Sequence, residues 1–338
     1  MHRFVNRRRV LKIMLTLFGL TGALGALWWA VFALKPYDIP PELLVLRYAH
    51  TSVSTPAPQV QLGAVEPVTV GGTAAWARSL RFSSFDGETV LGRIVHPDDP
   101  SSPGTTGVRR PVLLALHAMG RTQWRWWQAE HKGRPTIEST HLLAEQALLA
   151  GHVVIALDAR AHGDRKDPQR PLIARELLRD LHLWGAREPY ERLIVDTVRD
   201  WRVLLDWIQQ QPQLDAARVR AAGYSMGAQM ALLLAAIDGR VHRVAAMVPP
   251  HLDRKVAAVA PATVAHRLQD VEVWLLTADD DEYASRADNA ALFAALPGAA
   301  KQHLRFPGGH LLPAGYVERL QPWLETGTGS PVDPQRLE

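Results

Sequence analysis

Hydrophobic positions fall into two regimes along this chain. Residues 13–34 are 22 consecutive positions without a charge, bounded by Lys12 and Lys35. Wound as a helix, that run would reach about 33 Å, the depth of a bilayer's hydrocarbon core. From residue 78 onward the apolar runs shorten and alternate with helical spacing, the order expected of strand–helix–strand units on a largely parallel sheet. Runs 79–85 and 89–95 flank Asp86-Gly87 and predict an opening hairpin. The unbroken apolar run 112–116 suits a strand buried on both faces, and 153–157 a second one.

Further strands are predicted at 219–223, 244–248, 271–277 and 302–306, giving about eight in all. Between them, Thr140 stands where a cap would open a helix over 141–150, which Gly151 ends. A longer helix over about 191–210 carries Leu193, Val195, Val198, Trp201, Leu204, Leu205 and Ile208 at helical spacing, with Pro212 after its end. Residues 226–237, 283–296 and 313–324 complete the helices. Prolines 36, 40, 41, 56, 58 and 67, then Gly71-Gly72, interrupt 35–77, which reads as a juxtamembrane linker holding at most a short helix near 42–48. The expected organisation is a basic segment 1–12, a membrane span 13–34, the linker, one catalytic domain over 78–325 and a polar tail 326–338.

Composition changes the picture in two places. Apolar residues at 47% and charged ones at 21% are those of a globular protein. The absence of cysteine excludes a disulfide framework, a thiolate nucleophile and a Cys-ligated metal. A net charge of +4 hints at nucleic acid, but Arg3, Arg7, Arg8, Arg9, Lys12 and Lys35 stand in 1–35 with no acid, leaving −2 for the remainder. Nucleic acid is therefore not an expected partner. The basic flank and the apolar character on all faces favour a membrane helix over a buried core helix, with Trp28 and Trp29 toward its far end. Arg7, Arg8 and Arg9 would stay cytoplasmic, which places everything after Lys35 across the membrane. Residues 6–12 also resemble the twin-arginine export signal of bacteria, with Asn6 for its usual Ser or Thr and Val10 for its Phe. Ala23-Leu24-Gly25 would pass as a cleavage site, yet it lies in mid-segment before bulky apolar residues, so an uncleaved anchor in a bacterial inner membrane is preferred.

Candidate chemistry begins at Gly223-Tyr224-Ser225-Met226-Gly227, between a predicted strand and a predicted helix. A serine at so sharp a turn needs glycine on either side, because the backbone leaves no room for side chains. The turn lifts Oγ above the sheet and aims the helix N-terminus at the reacting oxygen. On this motif and its flanks, residues 78–325 resemble the α/β-hydrolase superfamily, its acyl-esterase and prolyl-oligopeptidase-like branches in particular. That resemblance implies a mostly parallel sheet with helices on both faces and a Ser-His-Asp triad.

Ser225 is then the nucleophile. His310, in Phe306-Pro307-Gly308-Gly309-His310 after the last strand, matches the family's terminal histidine. The acid should lie between them, where 274–282 runs from an apolar strand into Asp279, Asp280, Asp281 and Glu282. Counting from Ala278, which stands where the family has glycine, assigns Asp281 over its two neighbours. A calcium site is disfavoured, since consecutive acids cannot all point at one ion. Leu116-His117-Ala118-Met119-Gly120 resembles the family's oxyanion turn, with Ala118 for glycine, and implies that the Met119 and Met226 N–H groups hold the oxyanion while His117 braces the turn. Residues 158–164 match another family segment, with Ala161 for glycine, whose Asp158 and Arg160 would tie adjoining loops together.

Tyr224 and Trp124 are the candidates for substrate contact. Trp124, Trp126 and Trp127 would line an acyl pocket or meet a bilayer if exposed, and simply pack if buried. About 22 residues separate Val248 from Val271, too few for a large lid, which leaves 168–192 with Leu177, Leu178, Leu181 and Trp184 as the other candidate cover. No phosphate loop or His-x-His cluster is present, so no cofactor or metal is expected. The expected activity is hydrolysis of small-molecule carboxylic esters. The alternatives are a peptidase or amidase on the same fold, or a binding module without chemistry.

Overall fold

The computed structural model describes residues 7–50, 59–105, 107–169, 173–298 and 300–325, with the backbone alone for 7–13. The first half of the basic segment, 1–6, including Asn6 of the export-signal resemblance, and the whole polar tail 326–338 lie outside the described residues. Helix α1 (Arg7–Phe32) contains the apolar span Met14–Phe32, none of it buried against the rest of the chain. Its length and mean hydropathy of 1.7 suit a membrane crossing.

The remainder is built on one ten-stranded sheet. Its main strands are β1 (Glu66–Val70), β2 (Thr73–Ser83), β3 (Thr89–His96), β4 (Arg110–Leu116), β5 (Val153–Leu157), β6 (Leu214–Tyr224), β7 (Val241–Met247), β8 (Glu272–Ala278) and β9 (Lys301–Phe306). Spatially they run β2-β3-β5-β4-β6-β7-β8-β9, with β1 and the two-residue strand Gln61–Leu62 sharing the outer edge of β2. Pairing is antiparallel from β1 through the β3–β5 contact and parallel from β5 to β9.

Strand β4 shows why the parallel part needs cover on both sides. Val112, Leu114 and Leu116 face one core while Leu113 and Ala115 face the other, each at most 1% exposed. The first core is closed by α5 (Arg187–Ile208) and α6 (Met226–Ile237), the second by α3 (Thr140–Leu149) and the C-terminal turns Tyr316–Arg319 and Gln321–Glu325. Leu320 interrupts the single last helix expected over 313–324. Thr140 is not a cap: Ser139 precedes α3 in a left-handed conformation, and the Thr140 hydroxyl donates to Arg125 O at 2.7 Å.

The largest correction concerns the linker. Both strands of the ten-stranded sheet beyond the eight expected come from it. So does α2 (Pro41–Arg47), whose Leu44 is buried in the first core together with Tyr48. Polar contacts fasten the same stretch: Tyr48 donates to Ala258 O at 2.8 Å, and Arg202 donates to Tyr48 O at 2.6 Å. Arg199 donates to Ala49 O at 2.7 Å, and His50 pairs with Asp206 at 2.8 Å. Prolines made the segment look like a tether, but they only kept its helix short. The Leu44 and Tyr48 side chains decide its packing. Tyr48→Ala is therefore expected to lower the unfolding free energy by about 3–5 kcal/mol, the usual cost of truncating a buried aromatic. Urea denaturation in detergent micelles reads this directly, and an unchanged midpoint would restore the tether.

Candidate functional site

The C-terminal ends of the parallel strands converge on Ser225. Strand β6 turns into α6 so abruptly that Ser225 takes φ 54° and ψ −117°, a region that L side chains rarely enter. The turn is possible because of its glycines. A Cβ on Gly223 would run into Gly227 O and Ala228 N, and one on Gly227 into Leu116 O and His117 O. The Ser225 N–H donates to Met247 O of β7 at 2.8 Å, which pins the elbow to the neighbouring strand.

The three residues assigned from sequence meet here. His310 Nε2 lies 2.8 Å from Ser225 Oγ, and His310 Nδ1 lies 3.0 Å from both carboxylate oxygens of Asp281. With a carboxylate at Nδ1, that nitrogen carries the proton and Nε2 is left to accept from the serine hydroxyl. The Asp281 side chain is almost fully buried, 1% exposed, and it also accepts the Tyr283 N–H at 2.8 Å. Its neighbours diverge. Asp279 pairs with Arg305 at 2.6 Å, which holds its carboxyl below the usual range, and Asp280 points to solvent near Arg286.

The loops that carry Asp281 and His310 are laced to each other. Asp279 N–H donates to Phe306 O and Asp280 N–H to Gly308 O, both at 2.9 Å. Glu282 accepts the His310 N–H at 2.9 Å, and its carboxyl is lowered by its own amide and by that of His310. Tyr283 sets its ring edge-on to His310 at 4.6 Å and is 57% exposed, a wall at the mouth of the site. Glu282 closes the acidic run read from the sequence but was given no role there, and Tyr283, which directly follows it, was not singled out.

The two residues proposed for substrate contact have different surroundings. Tyr224 is buried beneath the site, where its hydroxyl donates to His310 O at 3.0 Å and accepts from Leu312 N at 2.8 Å. Trp124 is half-buried, stacked on His131 at 5.8 Å, with its indole N–H 3.3 Å from Asp164 and Arg93 over its ring. A residue inside a strand end points down when its neighbour points up, which is why Tyr224 cannot share the face of Ser225. Trp126 and Trp127 are core residues.

Beside the elbow, the turn 117–120 lies against α6, since Gly227 abuts the end of β4. Amides of a helix's first turn have no intrahelical partner, so the Met226 N–H is available to a ligand at this end. Met119 occupies the turn and is half-buried. His117 braces it: Nδ1–H donates to Ala118 O at 2.8 Å, and Nε2 accepts the Ala159 N–H at 2.9 Å. Ala159 belongs to the segment held by Asp158 and Arg160. Asp158 accepts the Gln123 and Asp164 N–H groups at 2.8 and 3.0 Å. Arg160 bonds to Asp86, Glu88 and Asp200, at 2.5, 2.7 and 2.7 Å respectively, and these partners keep its guanidinium firmly protonated despite burial. Ala161 has φ 57°, so alanine fills a left-handed position where glycine would be easier.

Burial sets the charge state of several histidines. It pushes His117 down to about 3, His152 to about 3 and His96 to about 4, and lowers His162 as well. Each is neutral in the fold but takes up a proton near pH 6.5 once unfolded. The unfolded chain therefore binds more protons in that window, and stability falls as pH drops below about 6.5. Asp158, raised by burial to about 6, opposes this between about 6 and 4 but is a single group. The urea midpoint should thus decrease from about pH 7 to about pH 5, and a rise would show that these imidazoles are charged in the fold.

A protein-family model described as the alpha/beta hydrolase family matches residues 112–336. Acetyl xylan esterase 1 from Thermoanaerobacterium sp. JW/SL YS485 superposes with a TM-score of 0.60 at 14% identity, covering 86% of this chain and 99% of that one. For acetyl xylan esterase from Paenibacillus sp. R4 the values are 0.58, 17%, 84% and 91%. For a cold-adapted esterase from an Arctic intertidal metagenomic library they are 0.54, 20%, 77% and 97%. No curated protein sequence matches the chain. At these identities the solved structures speak for the fold, while the family model covers more than half of the sequence. The chain belongs to the alpha/beta hydrolase family.

Proposed function

We propose that the chain is a membrane-anchored serine hydrolase of carboxylic esters, working through an acyl-enzyme. The observation that carries this reading is the unbroken hydrogen-bonded line from Ser225 Oγ through His310 to the buried Asp281 carboxylate. Ser225 Oγ attacks the acyl carbon while His310 Nε2 takes its proton. The carbonyl oxygen, now an oxyanion, receives the Met119 and Met226 N–H groups, each worth about 3–4 kcal/mol of barrier. Collapse breaks the ester C–O bond, and the alkoxide leaves with the proton from His310. Water then repeats the sequence, giving up its proton to His310 and releasing the acid and Ser225. Asp281 holds the imidazole tautomer and stabilises the imidazolium.

Esters are preferred over amides because the similar solved structures named above are of esterases. A binding module would have no use for a nucleophile, base and acid in register. The uncharged span after three arginines supports an anchor with the catalytic domain on the periplasmic or outer side of a bacterial inner membrane.

A fluorophosphonate probe should label the native protein and not Ser225→Ala. Labelling that persists in the variant would place the nucleophile elsewhere. Asp281→Asn should lower kcat by about 10³–10⁴-fold, because the wrong tautomer then faces the serine. Asp279→Asn and Asp280→Asn should stay within about twofold, since neither touches the imidazole. Short p-nitrophenyl esters should outpace aminoacyl anilides, and the reverse order would make the protein an amidase or peptidase.

A further inference from the structure

Where α1 leaves the membrane span is not a free joint, and this rests on the anchored reading given above.

 The residues that follow it are packed into the catalytic domain. Lys35 O accepts from Arg187 at 2.9 Å, and the Tyr37 N–H donates to Arg254 O at 3.0 Å. The Phe32 ring meets Trp184 edge-on at 5.1 Å. Gly185, at φ 64°, lets the Phe32 carbonyl come so close that a Cβ there would collide with it. Together with the buried Leu44 and Tyr48, these contacts fix the direction in which the helix departs.

Around that exit lies an apolar rim. On α2, Leu43 and Leu46 are 56% and 66% exposed. On α4 (Ala174–Trp184), Leu177 and Leu181 are buried while Leu183 and Trp184 stand 46% and 51% exposed, with Ile173 just before the helix. The two helices flank the exit, because Arg47 of α2 pairs with Glu188 and Glu191 of α5 directly after the turn that touches Phe32. Exposed leucines and a tryptophan beside a membrane helix match the composition of a surface that enters the boundary between headgroups and acyl chains. Trp29 with Lys35 over its ring at 3.9 Å marks the same level.

This rim is at the Ser225 end of the sheet. Tyr190, in the first turn of α5, donates to Gln229 Oε1 at 3.0 Å, and the Gln229 N–H donates to Ser225 O at 3.1 Å. We propose that the α2–α4 rim docks on the bilayer that α1 crosses, holding the Ser225 end of the sheet at the membrane surface, so that the substrates are esters that partition there.

The absence of native cysteine makes the test clean. Leu20→Cys, Leu46→Cys, Leu183→Cys and Leu149→Cys are each introduced into the full chain, labelled with an environment-sensitive dye and reconstituted in phosphatidylcholine vesicles with or without nitroxide-bearing lipid. Leu149 is the control, exposed at the end of α3 that leads to the start of β5, away from Ser225. The expected result is a loss of fluorescence at positions 20, 46 and 183 and none at 149. Quenching at 20 without quenching at 46 and 183 would overturn the docking and leave the anchor standing. No quenching at 20 would overturn both. None of these readings needs turnover, so the ester reading fails or survives separately. For the substrate class, Leu46→Glu combined with Leu183→Glu should slow a long-chain ester presented in vesicles by about tenfold and leave a water-soluble short ester unchanged. Equal slowing of both, or of neither, would refute delivery from the membrane.

Discussion

The close crossing of α6 over the ends of β6 and β4 is the constraint on which the rest of the site depends. Two glycines make it possible, since carbon at either Cβ position would overlap backbone of the opposing element. The crossing forces Ser225 into positive φ, a strain of about 1–3 kcal/mol that a loosely held segment would release by relaxing. It cannot relax here. Helix α6 is buried from Met226 to Ala236, and the Ser225 amide is tied to β7. Val248, just past β7, is likewise held at φ 45° with its amide bonded to Leu276 O at 2.8 Å. Strain in two non-glycine residues on adjacent strand ends is maintained by the packing of the whole sheet.

A second layer supports the turn opposite the elbow, and it is ionic where the first is steric. Arg160 and Arg165 both reach Asp200 on α5 and Glu88 after the opening hairpin turn. Burying such charges costs several kcal/mol per ion unless every one finds a partner, and here the acids outnumber the two guanidinium groups they surround. What the network secures is position. It fixes residues 158–160, the Ala159 amide fixes the His117 imidazole, and that ring holds the Ala118 carbonyl of the turn. The hairpin at Asp86 thus bears on the site through three successive contacts although it lies far from Ser225 in sequence.

Most of this was legible where local sequence and tertiary demand coincide. The Gly-x-Ser-x-Gly elbow is such a place, because the steric requirement is written in the glycines themselves. The buried strands are another, since a run such as 112–116 needs cover on two faces wherever it occurs. Legibility failed where local signals were weak and distant packing decided. The prolines of 35–50 gave no hint that Leu44 and Tyr48 would find partners on α5 and at Ala258. Thr140 has the chemistry of a cap, yet its hydroxyl is taken by Arg125 O from another loop. The role of Tyr224 was missed for a related reason: motif position suggested substrate contact, whereas strand alternation turns the ring downward.

That downward turn joins the parts of the site into one body. The loops after β8 and β9 are already locked together by the amides of Asp279, Asp280 and His310. Asp281 and His310 therefore keep their separation whatever the loops do as a unit. The Tyr224 hydroxyl, grasping His310 O and Leu312 N, fastens that unit to the residue next to Ser225. Burial keeps this phenol protonated, so it remains able to donate to the carbonyl and accept from the amide at once. The imidazole is thereby positioned from below by the same strand whose end presents the serine. Ser225 Oγ, the His310 imidazole and the Asp281 carboxylate are thus held in line at 2.8 and 3.0 Å by the fold itself.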